Sequence, residues 1–246
     1  MTDHLLPIVF FFVSLVYSSV GLGGGSSYTA IMSLTTMSYK VIPTTSLSLN
    51  LVVSFFGMLN FWRFGHGRLN LVLPFLLCSM PIAYLSGSIM VSEFFFQIIL
   101  LTTLLLIVIR IYIIKELSFT IQLSSFQKWS FIIIVGAFLG FIAGTIGIGG
   151  GIYLIPLIIM LGLGTPKEAA AAGATFVWLN SLVGLAARSQ VVSFDVDLIA
   201  PMVLSVILGG SIGSYYGSTK YDSDTINKIM GLVILVAILL LVRKMS

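Results

Sequence analysis

The chain has 246 residues, of which 58% are hydrophobic and only 8% charged, with a formal net charge of +4; its mean hydropathy is +1.14. Soluble domains carry about 25% charged residues, so this composition excludes a water-soluble globular protein and leaves an integral membrane protein. The basic excess then reads as span-end anchors facing the lipid bilayer and its anionic headgroups, not as a nucleic-acid footprint.

A crossing takes about 20 apolar residues, and about eight such segments follow one another. The first, 5–37, comes after Met1-Thr2-Asp3-His4, which lacks the basic region and cleavage site of a signal peptide, so it is expected to stay in the mature protein. It contains Gly21-Leu22-Gly23-Gly24-Gly25, and segments 45–62, 69–90 and 94–114 complete a first half. A more polar connection, 115–128, leads to segment 129–161 with Gly147-Ile148-Gly149-Gly150-Gly151, then to 169–187, 198–216 and 226–242. The expected fold is all-α: one integral membrane domain over 1–246, built of repeat 1 (about 5–114) and repeat 2 (about 129–243), each opening with a glycine-broken helix.

The repeat extends beyond the glycines. Gly21 and Gly147 stand 126 positions apart, while Ser54 and Ser181, Gly57 and Gly184, and Pro74 and Pro201 stand 127 apart. Thr45-Ser46 has a looser counterpart in Ala174-Thr175. Internal symmetry of this kind is common among transporters.

Segment 5–37 would span roughly 50 Å as one helix, against a hydrocarbon core about 30 Å thick. Each glycine segment therefore either crosses once as two half-helices, which makes the halves parallel, or folds back as a hairpin, which inverts them. Counting basic residues leaves both open. One face holds Arg63, Arg68, Arg110, Lys115 and Lys128 in either topology, joined by Arg188, Arg243 and Lys244 or by Lys167, Lys220 and Lys228, an eight-to-four split each time. Both place the loop from Arg63 to Arg68 in the cytoplasm.

Three consecutive glycines weaken a helix by roughly 1 kcal/mol each relative to alanine and let a ligand approach the main chain. The freed amides at the start of a half-helix carry partial positive charge, which suits a small anion. Gly21, Gly23, Gly24, Gly25, Gly147, Gly149, Gly150 and Gly151 are expected to floor a substrate site, with Ser26, Ser27, Thr45, Ser46 and Thr175 as hydroxyl donors and Asn50 and Asn180 as amides of matching halves. Gly140, Gly144, Gly209, Gly213 and Gly217, spaced four apart, read instead as helix-packing glycines. Arg110 and Arg188 end their spans and read as snorkelling anchors.

Other chemistries find little support. A P-loop would need Lys-Ser/Thr after the glycines, where Ser26-Ser27 and Ile152-Tyr153 stand. An intramembrane protease would need a buried histidine, but only His4 and His66 exist, and His-Glu-x-x-His is absent, so no enzyme is expected. Cys78 is alone, which leaves no disulfide and no metal cluster, and no cofactor is expected. No acidic residue falls inside a span. His66 reads as a solvated loop histidine, with proton coupling left open.

The pattern of Gly140, Gly144, Gly147, Gly149 to Gly151 and Pro156, then 162–167 leading into 169–175, with Gly21, Gly23 to Gly25, Thr45-Ser46, Gly57 and Gly67 in the first half, resembles the TauE/SafE sulfite exporter (TSUP) family over essentially the whole chain. The chain departs from it at Ala30, where the second half has Pro156, and over 190–193, which lacks a histidine and glycine often met there. The resemblance implies a secondary transporter of small sulfur-containing or organic anions, such as sulfite, thiosulfate, taurine or sulfoacetate, across the cytoplasmic membrane. A passive channel or the membrane subunit of a larger complex is the alternative. The resemblance selects neither the anion nor the oligomeric state.

Overall fold

The computed structural model describes residues 5–112, 125–192 and 196–220, with positions 235, 238, 239, 242 and 243. The described residues form helices α1 (Leu6–Ser18), α2 (Gly25–Ser33), α3 (Ile42–Arg63), α4 (Leu69–Gly87), α5 (Glu93–Tyr112), α6 (Ser125–Ile146), α7 (Gly151–Met160), α8 (Pro166–Arg188) and α9 (Val196–Thr219), with no strand among them. Stretches of α3, α4, α6, α8 and α9, five helices in all, are long and apolar enough to cross a bilayer. This is an all-helical, multi-pass membrane protein. Most of the predicted connection 115–128, most of the last predicted segment 226–242 and the Arg110 side chain lie outside the described residues.

Local sequence sets the ends of these helices. Thr165 caps α8 and accepts from the Glu168 amide at 3.3 Å, while the Glu168 carboxylate returns to the Thr165 amide at 2.7 Å. Pro166 fits the first turn, where no amide is needed. Gly24 and Gly150 occupy the N-cap positions of α2 and α7 with φ of 92° and 74°, a left-handed conformation that costs a side-chain-bearing residue about 1–2 kcal/mol. Each predicted glycine-bearing segment is thus two helices, not one.

Helix directions follow from which residues meet. The packing glycines do what their spacing predicts: α9 lays Gly209 against Phe11 and Ser14, Gly213 against Leu15 and Ser18, and Gly217 against Ser19, so α1 and α9 run parallel. In the same way Gly136, Gly140 and Gly144 of α6 advance along Cys78, Ser79 and Ala83 of α4. Contacts between Val53 and Gly210 and between Asn60 and Ser214 make α3 parallel to α9. Those between Leu71 and Gly164 and between Gly87 and Gly184 make α4 parallel to α8. The two most buried long helices, α3 and α8, oppose one another, with Gly57 against Ala174, Gly184 against Leu47, and Trp62 Nε1 donating to Thr175 Oγ1 at 3.0 Å.

The short helices return. Gly25 and Thr29 of α2 meet Asn50 and Ser46 of α3, and Gly151 and Ile155 of α7 meet Val177 and Gly173 of α8, so each short helix is antiparallel to the long helix that follows it. Since α1 runs with α3 and α6 with α8, α1–α2 and α6–α7 are hairpins that enter from opposite faces. The hairpin alternative left open by length and charge is the one adopted.

One face carries the loop from Arg63 to Arg68, the start of α8 and the end of α9. There Arg68 pairs with Glu168 at 3.2 Å, and Lys167 Nζ donates to the carbonyls of Ser218 at 3.0 Å and Thr219 at 3.3 Å. The opposite face carries Lys40, Met90 and Arg188. Between the faces, Leu77, Leu105, Ile134 and Leu204 are exposed, an apolar belt that only lipid would solvate favourably.

Candidate functional site

The two glycine breaks meet deep inside the protein, where all residues from Gly21 to Gly25 and from Gly147 to Gly151 are buried. The first docks on α8 and the second on α3. A methyl group added to Gly21 would lie 2.1 Å from the carbonyl oxygen of Ala170 in α8, and one on Gly147 would lie 2.7 Å from that of Pro43 in α3. Ala170 and Pro43 stand 127 positions apart. The breaks also touch each other: a methyl on Gly25 would sit 2.8 Å from the Gly147 carbonyl and 2.9 Å from that of Ile148.

This arrangement sets helix ends of both signs close together. The N-termini of α2 and α7 bring first-turn amides that have no intrahelical acceptor, with the positive end of the dipole. The C-terminal end of α6 is the negative counterpart, and side chains neutralise it. Thr29 Oγ1 donates to Ile146 O at 3.2 Å, Ser46 Oγ and Asn50 Nδ2 donate to Gly147 O at 2.8 and 3.0 Å, and Arg188 donates through Nε to Gly144 O at 3.1 Å and through Nη2 to Thr145 O at 2.6 Å. At the end of α1, the amides of Val20 and Leu22 take Tyr17 O and that of Gly21 takes Ser18 O. The carbonyl ends are satisfied locally, and the amide ends face the junction.

The predicted site residues divide accordingly. Gly21, Gly23, Gly24, Gly25, Gly147, Gly149, Gly150, Gly151, Ser46 and Asn50 come together. Ser26 and Ser27 lie beside them but bond to the Tyr17 hydroxyl at 3.2 and 2.7 Å, pinning α2 to α1. The Thr45 hydroxyl is buried with no hydrogen-bond partner among the described residues. Thr175 lies elsewhere, donating to Ala171 O at 2.8 Å and accepting from Trp62. The Asn180 amide nitrogen donates to Phe176 O of its own helix at 3.0 Å, and its side-chain oxygen is buried with no hydrogen-bond partner among the described residues. The position 127 residues beyond Asn50 is Val177, whose methyl groups face Gly23, Gly149 and Gly151.

At the 127-residue offset of the serine and glycine pairs, the position that corresponds to Asn50 is Val177, and Asn180 lies three residues beyond it. Thr29 and Tyr17 carried no signal beyond being polar residues in an apolar segment. Arg188 is 2% exposed and turned into the protein, so it is no snorkelling anchor.

The TauE/SafE sulfite exporter family model matches residues 6–241. A protein of Sinorhizobium fredii (strain NBRC 101917 / NGR234) named probable membrane transporter protein y4hK is 31% identical over 236 residues, covering 94% of this chain and 95% of its own length. Another, of Bacillus subtilis (strain 168) and named probable membrane transporter protein YunE, is 32% identical over 98 residues, 39% of this chain and 35% of its own. No solved structure matches the chain significantly. Two glycine-broken hairpins meeting inside an all-helical membrane protein, with a family match over nearly the whole sequence, place this chain in the TauE/SafE sulfite exporter family.

Proposed function

We propose that this transporter is a secondary carrier of small sulfur-containing or organic anions, of the sulfite, thiosulfate, taurine or sulfoacetate kind, across the cytoplasmic membrane. The observation that carries the reading is the convergence of the α2 and α7 N-termini beside Gly147, while the opposing carbonyls are capped by Thr29, Ser46, Asn50 and Arg188. A helix N-terminus stabilises an anion by about 0.3–1 kcal/mol when exposed and up to about 2 kcal/mol when partly buried. Two such ends, with no fixed cation between them among the described residues, suit an anion that must be held and then released.

The reading includes two inverted repeats descended from a duplication. Its support is that contacts recur 126 or 127 positions apart: Gly21 with Ala170 against Gly147 with Pro43, and Gly57 with Ala174 against Gly184 with Leu47. Inverted repeats whose half-helix termini line a central site are a recurrent transporter plan. The buried junction corresponds to a closed state, and opening to either face would require a hairpin to move on the long helix it docks against. The face with Arg63, Arg68 and Lys167 is read as cytoplasmic by its basic excess. No catalytic role is assigned.

The test is uptake of labelled sulfite, thiosulfate, taurine and sulfoacetate by liposomes containing the purified chain, with and without a pH gradient. Saturable uptake of one anion supports the carrier, and its gradient response reports proton coupling. Linear, non-saturating flux would support a channel. No uptake by folded, inserted protein would refute the assignment of these anions.

A further inference from the structure

Arg188 makes two hydrogen bonds, to Gly144 O and Thr145 O, and no carboxylate pairs with it among the described residues. A guanidinium has five N–H donors, so part of its fork is left over. A cleft of about 10 Å³ lies against it, bordered by Tyr39, Lys40, Pro43, Phe96 and Thr145. The Thr145 hydroxyl is buried, 1% exposed, and has no hydrogen-bond partner among the described residues. Pro43 is the residue on which Gly147 docks, so the cleft stands immediately outside the second glycine break.

The opposite face carries the corresponding positions with different chemistry. The residue 127 positions before Arg188 is Phe61, buried against Ala170 and Ala171. Lys167, the counterpart of Lys40, is held by the carbonyls of Ser218 and Thr219, whereas the Lys40 ammonium stands 5.9 Å from the centre of the Tyr39 ring. One end of the molecule thus has an apolar plug with a bound lysine, and the other has two cations beside a cleft.

We propose that Arg188, Lys40 and Thr145 form a peripheral anion site on the Lys40 face, where a small oxyanion or carboxylate docks before entering, or after leaving, the junction of the breaks. The inference rests on the anion-carrier reading above. The guanidinium fork takes two oxygens of the anion, the Thr145 hydroxyl donates to one, and Lys40 adds attraction at the rim. The cleft as it stands has room for about one water, so binding requires it to widen. An anion that draws the guanidinium outward also takes donors from Gly144 O and Thr145 O, which loosens the end of α6 and couples docking to movement of the second hairpin.

Two readouts on the full chain test this: KM measured separately from each face in oriented proteoliposomes, and protection of the detergent-solubilised protein against heat by sodium sulfite. Lys40→Gln is expected to raise KM from the Lys40 face about threefold, as for an exposed charge. Arg188→Gln is expected to raise it about tenfold or more, as for a charge-assisted hydrogen bond. Arg188→Lys should fall between them, and KM from the other face should hold in Lys40→Gln. Sulfite protection should shrink in the same order. Unchanged KM and protection in both Lys40→Gln and Arg188→Lys, or an equal rise of KM from both faces in Lys40→Gln, would overturn the site and leave Arg188 as a helix cap. A wild type that moves no anion yet shows Arg188-dependent protection would uphold the site and refute the carrier. A wild type that shows neither flux nor protection would overturn both.

Discussion

Replacing Gly21 with alanine places a methyl group where the first break docks on α8. With φ at 76°, the left-handed conformation alone costs roughly 1–2 kcal/mol. The new Cβ would stand 2.1, 2.6 and 2.7 Å from the O, C and Cα atoms of Ala170. These are backbone atoms that cannot swing aside, so the break or the first turn of α8 must shift, and overpacking of this kind adds about 1–3 kcal/mol. Gly65→Ala is the control, because Gly65 has φ of 81° and nothing within 4 Å of its added Cβ, so it bears the conformational cost alone. Gly147→Ala, whose Cβ would lie 2.7 Å from Pro43 O, should fall between them. Reversible unfolding in mixed detergent micelles would read the three differences. Loss of stability in the order Gly21→Ala, Gly147→Ala, Gly65→Ala is expected, with a gap of about 1–3 kcal/mol between the extremes. A Gly21→Ala variant no less stable than Gly65→Ala would refute the docking of the first break on α8.

Three further outcomes are expected. In a Cys78→Ser background, Gly65→Cys and Gly162→Cys should react with a membrane-impermeant maleimide from one face and Ser38→Cys from the other; Gly162→Cys labelled with Ser38→Cys would restore the single-crossing topology. Thr175→Val should leave KM unchanged and cost about 1 kcal/mol of stability through its hydrogen bonds, while a large rise in KM would return Thr175 to the binding site. Asn50→Val, which copies Val177, the residue 127 positions on, should cost about 1 kcal/mol for the lost bond to Gly147 O and reduce flux because, among the described residues, Ser46 Oγ is then the one side-chain donor left on that carbonyl. Normal flux in Asn50→Val would confine Asn50 to packing.

The glycine breaks were legible because three successive glycines in an apolar segment have no packing use at helical spacing, and the packing glycines because they fall every fourth residue. Hairpin against crossing was not legible: both topologies fit the length of segment 5–37, and both divide the basic residues eight to four. That choice is made by contacts between residues distant in sequence, such as Gly25 with Asn50 and Gly57 with Ala174, which no local pattern records. The partners of Thr175 and Asn180 were not legible for a related reason, since a polar residue in a span must find a partner, but sequence does not say whether that partner is substrate, another helix or its own backbone. Arg188 resembled an anchor because it ends a span, and only the nearby carbonyl end of α6 draws it inward.

The central claim, that the meeting of the two breaks carries the anion, is tested most directly by labelled sulfite flux in liposomes for the wild type beside Gly150→Val. Gly150 has φ of 74°, and its added Cβ would lie 3.0 Å from the Phe176 ring, so valine must distort the start of α7. Saturable uptake by the wild type, and none by a variant that inserts with unchanged maleimide accessibility at positions 65 and 162, is the predicted result. Full activity in Gly150→Val would contradict it.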